Sequence, residues 1–405
     1  MSCQRAVYQW TEAVSIHLPH LSKPQAAVLA LWSLGMILAR SCALSAVSTF
    51  LARGLERKPN TVRQQLREFC YEAGAKRGGP RQEVQVERCF APLLAWVLRW
   101  WEGHQLALAV DATTLGQRFV VLVLSVLYRG CAIPVAWTVL PAGQKQAWRG
   151  EWLRMLRQVR AAVPRRFFVI VLADRGLYAC WLFRRIVRLG WHPLLRINTG
   201  GTFRPAASAR YRPLRSFVPQ PGTQWAGSGT AFVGPRRRLN CTLLARWEDG
   251  YTDPWLLLTD LAPGASEACW YGLRAWIEQG FKITKRAGWQ WQRTRMTDPQ
   301  RAARLRLAVA VATLWLLSVG GQADETLPTD TLPVLPADVF PPRRRPRRAT
   351  CLRLVSVFRQ GWTAILVALL NQRRLPLGRF KPESWPGTED KDFKLLVIHE
   401  VSLAA

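Results

Sequence analysis

Tyr271, Arg274, Glu278 and Lys285 stand three, four and seven residues apart in the run WYGLRAWIEQGFKITKR. An α-helix turns roughly 100° per residue, so on one regular helix the four fall at about 0°, −60°, −20° and −40°. A carboxylate, two cations and a phenol then share one narrow stripe. Trp270, Leu273, Ile277 and Phe281 fall beside it at about −100°, −160°, −120° and −80°, an apolar stripe for the core. The spacing predicts a helix from near Ser266 that buries the apolar stripe and holds the polar one at the rim. A lone carboxylate flanked by cations suits a metal ion meeting phosphate groups. Charged stripes on helices are more often plain solvated faces, so this one gains weight only from the rest of the chain.

Two further acids supply that weight. Asp111 sits in LALAVDATTL, which reads as a strand ending near Asp111. Asp174 closes RFFVIVLADRGL, a short apolar β-branched run that suits a buried central strand. Open α/β sheets place functional groups at strand ends. Two strand Asp and one helix Glu form an all-oxygen donor set for two divalent cations, Mg²⁺ by preference with Mn²⁺ as a substitute. Such a pair, roughly 3.5–4 Å apart, activates an attacking oxygen and stabilises a leaving one in phosphodiester chemistry. Singly, each Asp reads more readily as a turn residue: Asp111 before Ala-Thr-Thr, Asp174 before Arg-Gly.

The elements around these residues predict an α/β protein. Residues 1–100 read as helical, with apolar stretches at Ala26–Ala39 and Ala43–Ala52 and a break at Gly54 and KPN. Asn60 or Thr61 is positioned to cap TVRQQLREFCYEAG. Arg63 and Arg67 lie on that helix, which suggests a helix-turn-helix pair with a basic second helix. Ala75–Gln82 reads as a linker. From Gln105 three strands follow, the second and third joined by a tight turn at Arg129-Gly130. Then come a helix (about Trp148–Val163), the strand ending at Asp174, a helix (about Tyr178–Leu189) and the strand HPLLRIN. That order implies a mixed sheet. Thr199–Leu261 is rich in Gly, Pro, Ser and Arg and reads as a β insertion. Helices are expected at about Pro299–Val319 and Leu352–Asn371, with a Pro-rich segment (Gln322–Pro342) and RRRPRR (Arg343–Arg348) between them.

Composition narrows the partner. The chain has 405 residues, 49% hydrophobic, enough for a large core. Lys and Arg number 57 against 26 Asp and Glu, a net charge of +31, so a polyanion is the expected partner. The longest apolar runs, Ala26–Ala39 and Leu307–Gly320, fall short of the about 20 residues of a typical membrane span. The N-terminus shows no apolar signal region. Nine scattered Cys without a CxxC pair suit free thiols in a reducing cytosol, and five dispersed His do not suit zinc. Twenty Trp suit a core, and where they alternate with Arg they also suit stacking on bases.

These residues resemble those of the cut-and-paste DDE transposases of bacterial insertion sequences, the subgroup marked by a Tyr-Arg-Glu-Lys signature. The likeness rests on DATT after a strand, LADRGL at a strand end, and Y-x2-R-x3-E-x6-K with every interval met. It spans about Gln105 to Gly320. It implies a ribonuclease-H-like mixed-sheet core with a β insertion between the second Asp and the Glu. By the same resemblance Asp111, Asp174 and Glu278 are the metal ligands. Tyr271, Arg274 and Lys285 hold phosphates near the 5′ end of the non-transferred strand. Trp255 in PWLLLTDL resembles the tryptophan that stacks on a flipped base when a DNA end closes into a hairpin; it reads equally as a core residue. Arg293 and Arg295 in WQRTRMTDP become DNA contacts.

The domain organisation expected is a helical DNA-binding domain (1–100), a first core part (101–200), the β-rich insertion (201–262), closing helices (263–322) and a basic C-terminal region (323–405). The implied protein is cytoplasmic and works as a homodimer on double-stranded DNA, at terminal inverted repeats and target, away from membranes. The rival reading is a catalytically inactive, transposase-derived DNA-binding protein.

Overall fold

Apolar residues recurring at helical spacing fold most of the first hundred residues into helices: α1 (Cys3–His17), α2 (Lys23–Ala39), α3 (Leu44–Gly54), α4 (Pro59–Phe69) and α5 (Phe90–Arg99). The structure, a computed structural model, describes residues 3–76, 81–143, 148–325, 355–386 and 394–395. These fall into two units: 3–167, 276–325 and 355–383 in the first, 168–275, 384–386 and 394–395 in the second. The expected linker lies partly, and the RRRPRR run wholly, outside the described residues.

In the first unit α2 opens with a capping box, in which Ser22 and Gln25 each accept the other's backbone N–H. The basic helix α4 packs on α3 and exposes Arg63 and Arg67. Its start differs from the expected Asn60 or Thr61. Lys58 is the N-cap and Pro59 the first helical residue, where a missing N–H costs nothing. The helix stops at Phe69, before YEAG.

Strands β1 (Gln105–Leu115), β2 (Phe119–Tyr128) and β3 (Cys131–Pro141) form an antiparallel meander. Arg129 and Gly130 both take left-handed backbone, φ 43° and 76°, the geometry that a two-residue hairpin turn requires. All ten residues of β2 are buried, as in a strand covered on both faces. β1 does not end near Asp111. It continues to Leu115, with Asp111 opposite Val123 and the β-branched Thr113 and Thr114 still paired. Helix α6 (Arg149–Arg160) follows.

The second unit begins with β4 (Phe168–Ala173), α7 (Cys180–Arg188) and β5 (His192–Arg196), with β4 and β5 parallel. The Gly- and Arg-rich stretch then supplies β6 (Thr202–Pro205), β7 (Arg212–Pro213), β8 (Thr223–Ala231), β9 (Leu239–Trp247) and β10 (Trp255–Thr259). β10 pairs with β5, and the sheet continues through β9, β8, β6 and β7. The insertion strands therefore extend the sheet of β4 and β5. The protein is mixed α/β with a helical N-terminal region.

After α8 (Ala275–Lys282) the chain enters α9 (Pro299–Glu325); α10 (Val357–Leu370) follows in the described residues. The sequence reading underestimated α9. It is 27 residues long, and by length and composition it could cross a membrane. Its most apolar stretch is 94% buried inside the protein. It is a core helix, packed on β3, α2 and α10. Its buried Asp324 accepts hydrogen bonds from Arg129 Nη1 at 2.6 Å and Gln360 Nε2 at 3.1 Å. Arg129 Nε also donates to the Lys381 carbonyl at 2.7 Å. One ion pair thus ties the β2–β3 turn to α9, α10 and the segment beyond it. Asp324→Ala removes the nearest carboxylate from the buried Arg129 guanidinium and leaves Glu383 at 3.8 Å and Glu325 at 4.0 Å, so urea unfolding should show a loss of about 1.5–3 kcal/mol, that of a hydrogen bond to a charged group.

Candidate active site

The signature segment changes pitch twice. Ala268–Arg274 is a 3₁₀ helix, α8 is α-helical, and Ile283–Ala287 is a π turn. The uniform 100° wheel therefore does not hold. In a 3₁₀ helix three residues complete roughly one turn, so Tyr271 and Arg274 lie one above the other. Both are buried, at 3% and 8% exposure, rather than held at a rim. Glu278 on α8 and Lys285 in the π turn are half-buried. Leu273 and Ile277 are buried as expected, while Trp270 and Phe281 are only half-buried. Single π turns inside helices recur at functional sites.

In the second unit Asp174 follows the last residue of β4. Its Oδ1 accepts the Arg175 N–H at 2.5 Å, and its Oδ2 accepts from Arg274 Nη2 at 3.4 Å. The turn reading and the charged reading of this acid are thus both realised. The buried Arg274 guanidinium meets a carboxylate 100 residues away in sequence. Trp255 opens β10 and is 7% exposed. Its ring lies 5.3 Å from that of Tyr271 at 71°, an edge-to-face pair. The unit brings Asp174 to Arg274 and Trp255 to Tyr271.

In the first unit Asp111 is half-buried within β1 and its Oδ1 accepts the Ala112 N–H at 2.8 Å. Burial pushes the Lys285 ammonium below its ordinary pKa. Arg286 and Arg306 push the same way, and Asp111 pulls against them. The unit therefore places Asp111 within electrostatic reach of Lys285. Arg306 is 1% exposed, and burial lowers its pKa to about 9. It lies 5.1 Å from the Trp291 ring centroid and 5.8 Å from that of Trp137.

Arg293 and Arg295 are exposed. Their loop is pinned by Arg118, at the turn between β1 and β2. Its guanidinium donates to the carbonyls of Thr294, Met296 (2.8 Å) and Gln292 (3.2 Å). Sequence reading missed this positioning residue. An arginine after Gly-Gln in a turn carries no local signal, and its partners are more than 170 residues away.

Asp111 and Glu278 belong to the first unit and Asp174 to the second. Within either unit, among the described residues, no three His, Cys, Asp or Glu side chains form a metal-binding group. The donor chemistry of the three acids, all oxygen and all half-buried, fits hard divalent cations.

A family model for the transposase DDE domain matches residues 104–315, slightly more than half of the chain. No curated protein matches. Among solved structures, the cryo-EM structure of the piggyBac transposase synaptic complex with hairpin DNA aligns over 77% of this chain and 72% of that chain. The identity is 11% and the TM-score 0.39, too loose a likeness to place residues.

Asp111 raises the Lys285 pKa against the other causes, so Asp111→Asn should lower that pKa further. An NMR titration of the Lys285 side chain, assigned with Lys285→Arg, reads the shift. The fold disfavours the protonated amine, so stability rises with pH between the lowered pKa and the ordinary value. In the variant that rise should begin at lower pH.

Proposed function

The chain belongs to the transposase DDE domain family, and we propose that it is a DNA transposase of the bacterial insertion-sequence subgroup with the Tyr-Arg-Glu-Lys signature. It binds the terminal inverted repeats of its own element, nicks the transferred strand, and joins the freed 3′ end to target DNA. It acts as a homodimer on DNA in the bacterial cytosol. The observation that carries this reading is the Asp174–Arg274 pair. It joins the strand-end acid to the signature within one unit.

Asp111, Asp174 and Glu278 would hold two divalent cations, Mg²⁺ or in its place Mn²⁺, whose chemistry is to activate the attacking oxygen and stabilise the leaving one. The remaining residues bind and orient DNA. Arg274 offers a planar fork that matches two phosphate oxygens, and Lys285 a point charge. Tyr271 presents a hydroxyl on the same 3₁₀ turn as Arg274. Arg293 and Arg295, exposed on the loop that Arg118 holds, reach the phosphates beyond. Trp255 stacks on a flipped base at a hairpin end, for which its ring must leave Tyr271. Stacking of this kind is worth about 1–3 kcal/mol, comparable with the cost of unstacking.

Glu278→Gln should abolish metal-dependent nicking of an end-labelled duplex carrying the element's own terminus, at unchanged DNA affinity. Specific binding by the wild type with no cleavage in Mg²⁺ or Mn²⁺ would instead establish the inactive DNA-binding protein. If about eight phosphates are neutralised, log affinity should fall against log salt with a slope near −7. Trp255→Ala should leave the first nick intact and lower hairpin yield by roughly an order of magnitude; an unchanged yield would make Trp255 a core residue.

A further inference from the structure

Between Asp174 and Glu248 the chain has thirteen arginines, no lysine, and no Asp or Glu. Five of these arginines come together on one face of the second unit. Arg184 and Arg188 are exposed on α7, and Arg236, Arg237 and Arg238 are exposed in the turn joining β8 to β9. The two elements are docked. Arg184 Nη2 donates to the Arg238 carbonyl at 3.0 Å, and the Cys180 thiol donates to the Arg237 carbonyl at 3.1 Å. The Phe232 ring lies 5.6 Å from that of Tyr178. The turn is itself hydrogen-bonded, with the N–H groups of Arg237 and Arg238 both reaching the Gly234 carbonyl. Arg184 and Arg238 brace this frame, Arg238 Nη2 donating to the Val233 carbonyl at 3.2 Å, and the exposed Arg188, Arg236 and Arg237 stand on it.

None of the five takes part in an ion pair among the described residues; of the unit's acids, Asp253, Asp260, Glu248 and Asp174 pair elsewhere, with Arg175, His192, Arg246 and Arg274. A face of like charges with no counterion repels itself, and a polyanion relieves that repulsion. Guanidinium forks match phosphate oxygens. The surface also begins beside the candidate site, because α7 starts six residues after Asp174.

We infer that α7 and the β8–β9 turn form a second DNA-contact surface, which grips the phosphates of duplex flanking the cleaved one. The inference rests on the transposase reading above and adds to it a surface outside the signature and the N-terminal helices.

The test is the triple variant R236Q/R237Q/R238Q, assayed on the element's terminal duplex in two forms, one truncated at the cut site and one carrying flanking duplex. For the longer DNA the salt slope should become shallower by about 2–3, since each lost phosphate contact removes roughly 0.9. The affinity lost should be confined to the longer DNA, and the triple Lys variant should restore the slope. Equal slopes for wild type and triple Gln variant, with wild type still cutting, overturn this inference alone. A wild type that neither binds nor cuts DNA overturns the transposase reading and this surface with it.

Discussion

Carboxylates are scarce in this protein, with 26 acids against 57 Lys and Arg, and every buried guanidinium must still meet an acceptor or a ring. That constraint organises both units. Arg129 meets Asp324, and Arg304 meets Glu83 together with the carbonyls of Cys70 and Val84. Arg118 relies wholly on main-chain carbonyls among its hydrogen bonds. Arg306 rests on tryptophan faces. Carbonyls and aromatic rings stand in for missing acids, which gives one physical reason for so many tryptophans. It also leaves few acids for chemistry, because Glu68, Glu72, Glu83, Glu151, Glu248 and Asp253, half-buried like Asp111, Asp174 and Glu278, are already paired with arginines.

The core of the first unit depends on how closely α9 can be approached. A Cβ at Gly320 would come within 1.9 Å of the Val357 carbonyl oxygen, and one at Gly361 within 1.9 Å of that of Leu316. The backbones of α9 and α10 therefore touch, and any side chain there would force them apart. Trp289 continues the same packing. Its indole donates to Thr313 Oγ1 on α9 at 2.8 Å and its ring stacks on Trp362 of α10. Trp289 lies four residues after Lys285, so the end of the signature segment is anchored directly in this helix pair.

The strands and most helices were legible because their periodicities are local. β4 read as a buried run and β2 as a strand, and the Arg129-Gly130 turn follows from its residues. Three features were not legible. β1 runs past Asp111 because its pairing with β2, not its composition, decides where it stops. α9 was expected to end near Val319, but it runs on to Glu325 through Gly320 and Gly321, whose missing side chains leave room for α10 and Tyr128. The wheel for the signature assumed constant pitch. Tyr271 and Arg274 instead form a 3₁₀ turn, where Trp255 and Asp174, distant in sequence, meet them. The residue types and intervals of the candidate site were visible; which of those residues are buried, and against what, depends on partners elsewhere in the chain, Trp255 for Tyr271 and Asp174 for Arg274.

The interval between Arg274 and Glu278 carries a further meaning. The chain leaves the second unit at Ala275 and enters the first at Trp276. The phenol and guanidinium of the signature thus share a unit with Asp174, while its carboxylate and ammonium share one with Asp111. Four residues of continuous helical backbone are the covalent link between these halves. One residue more or less would rotate Glu278 by roughly 100° relative to Arg274. The spacing therefore bears on chain geometry as well as chemistry: an inserted or deleted residue would turn Glu278 to another face of α8.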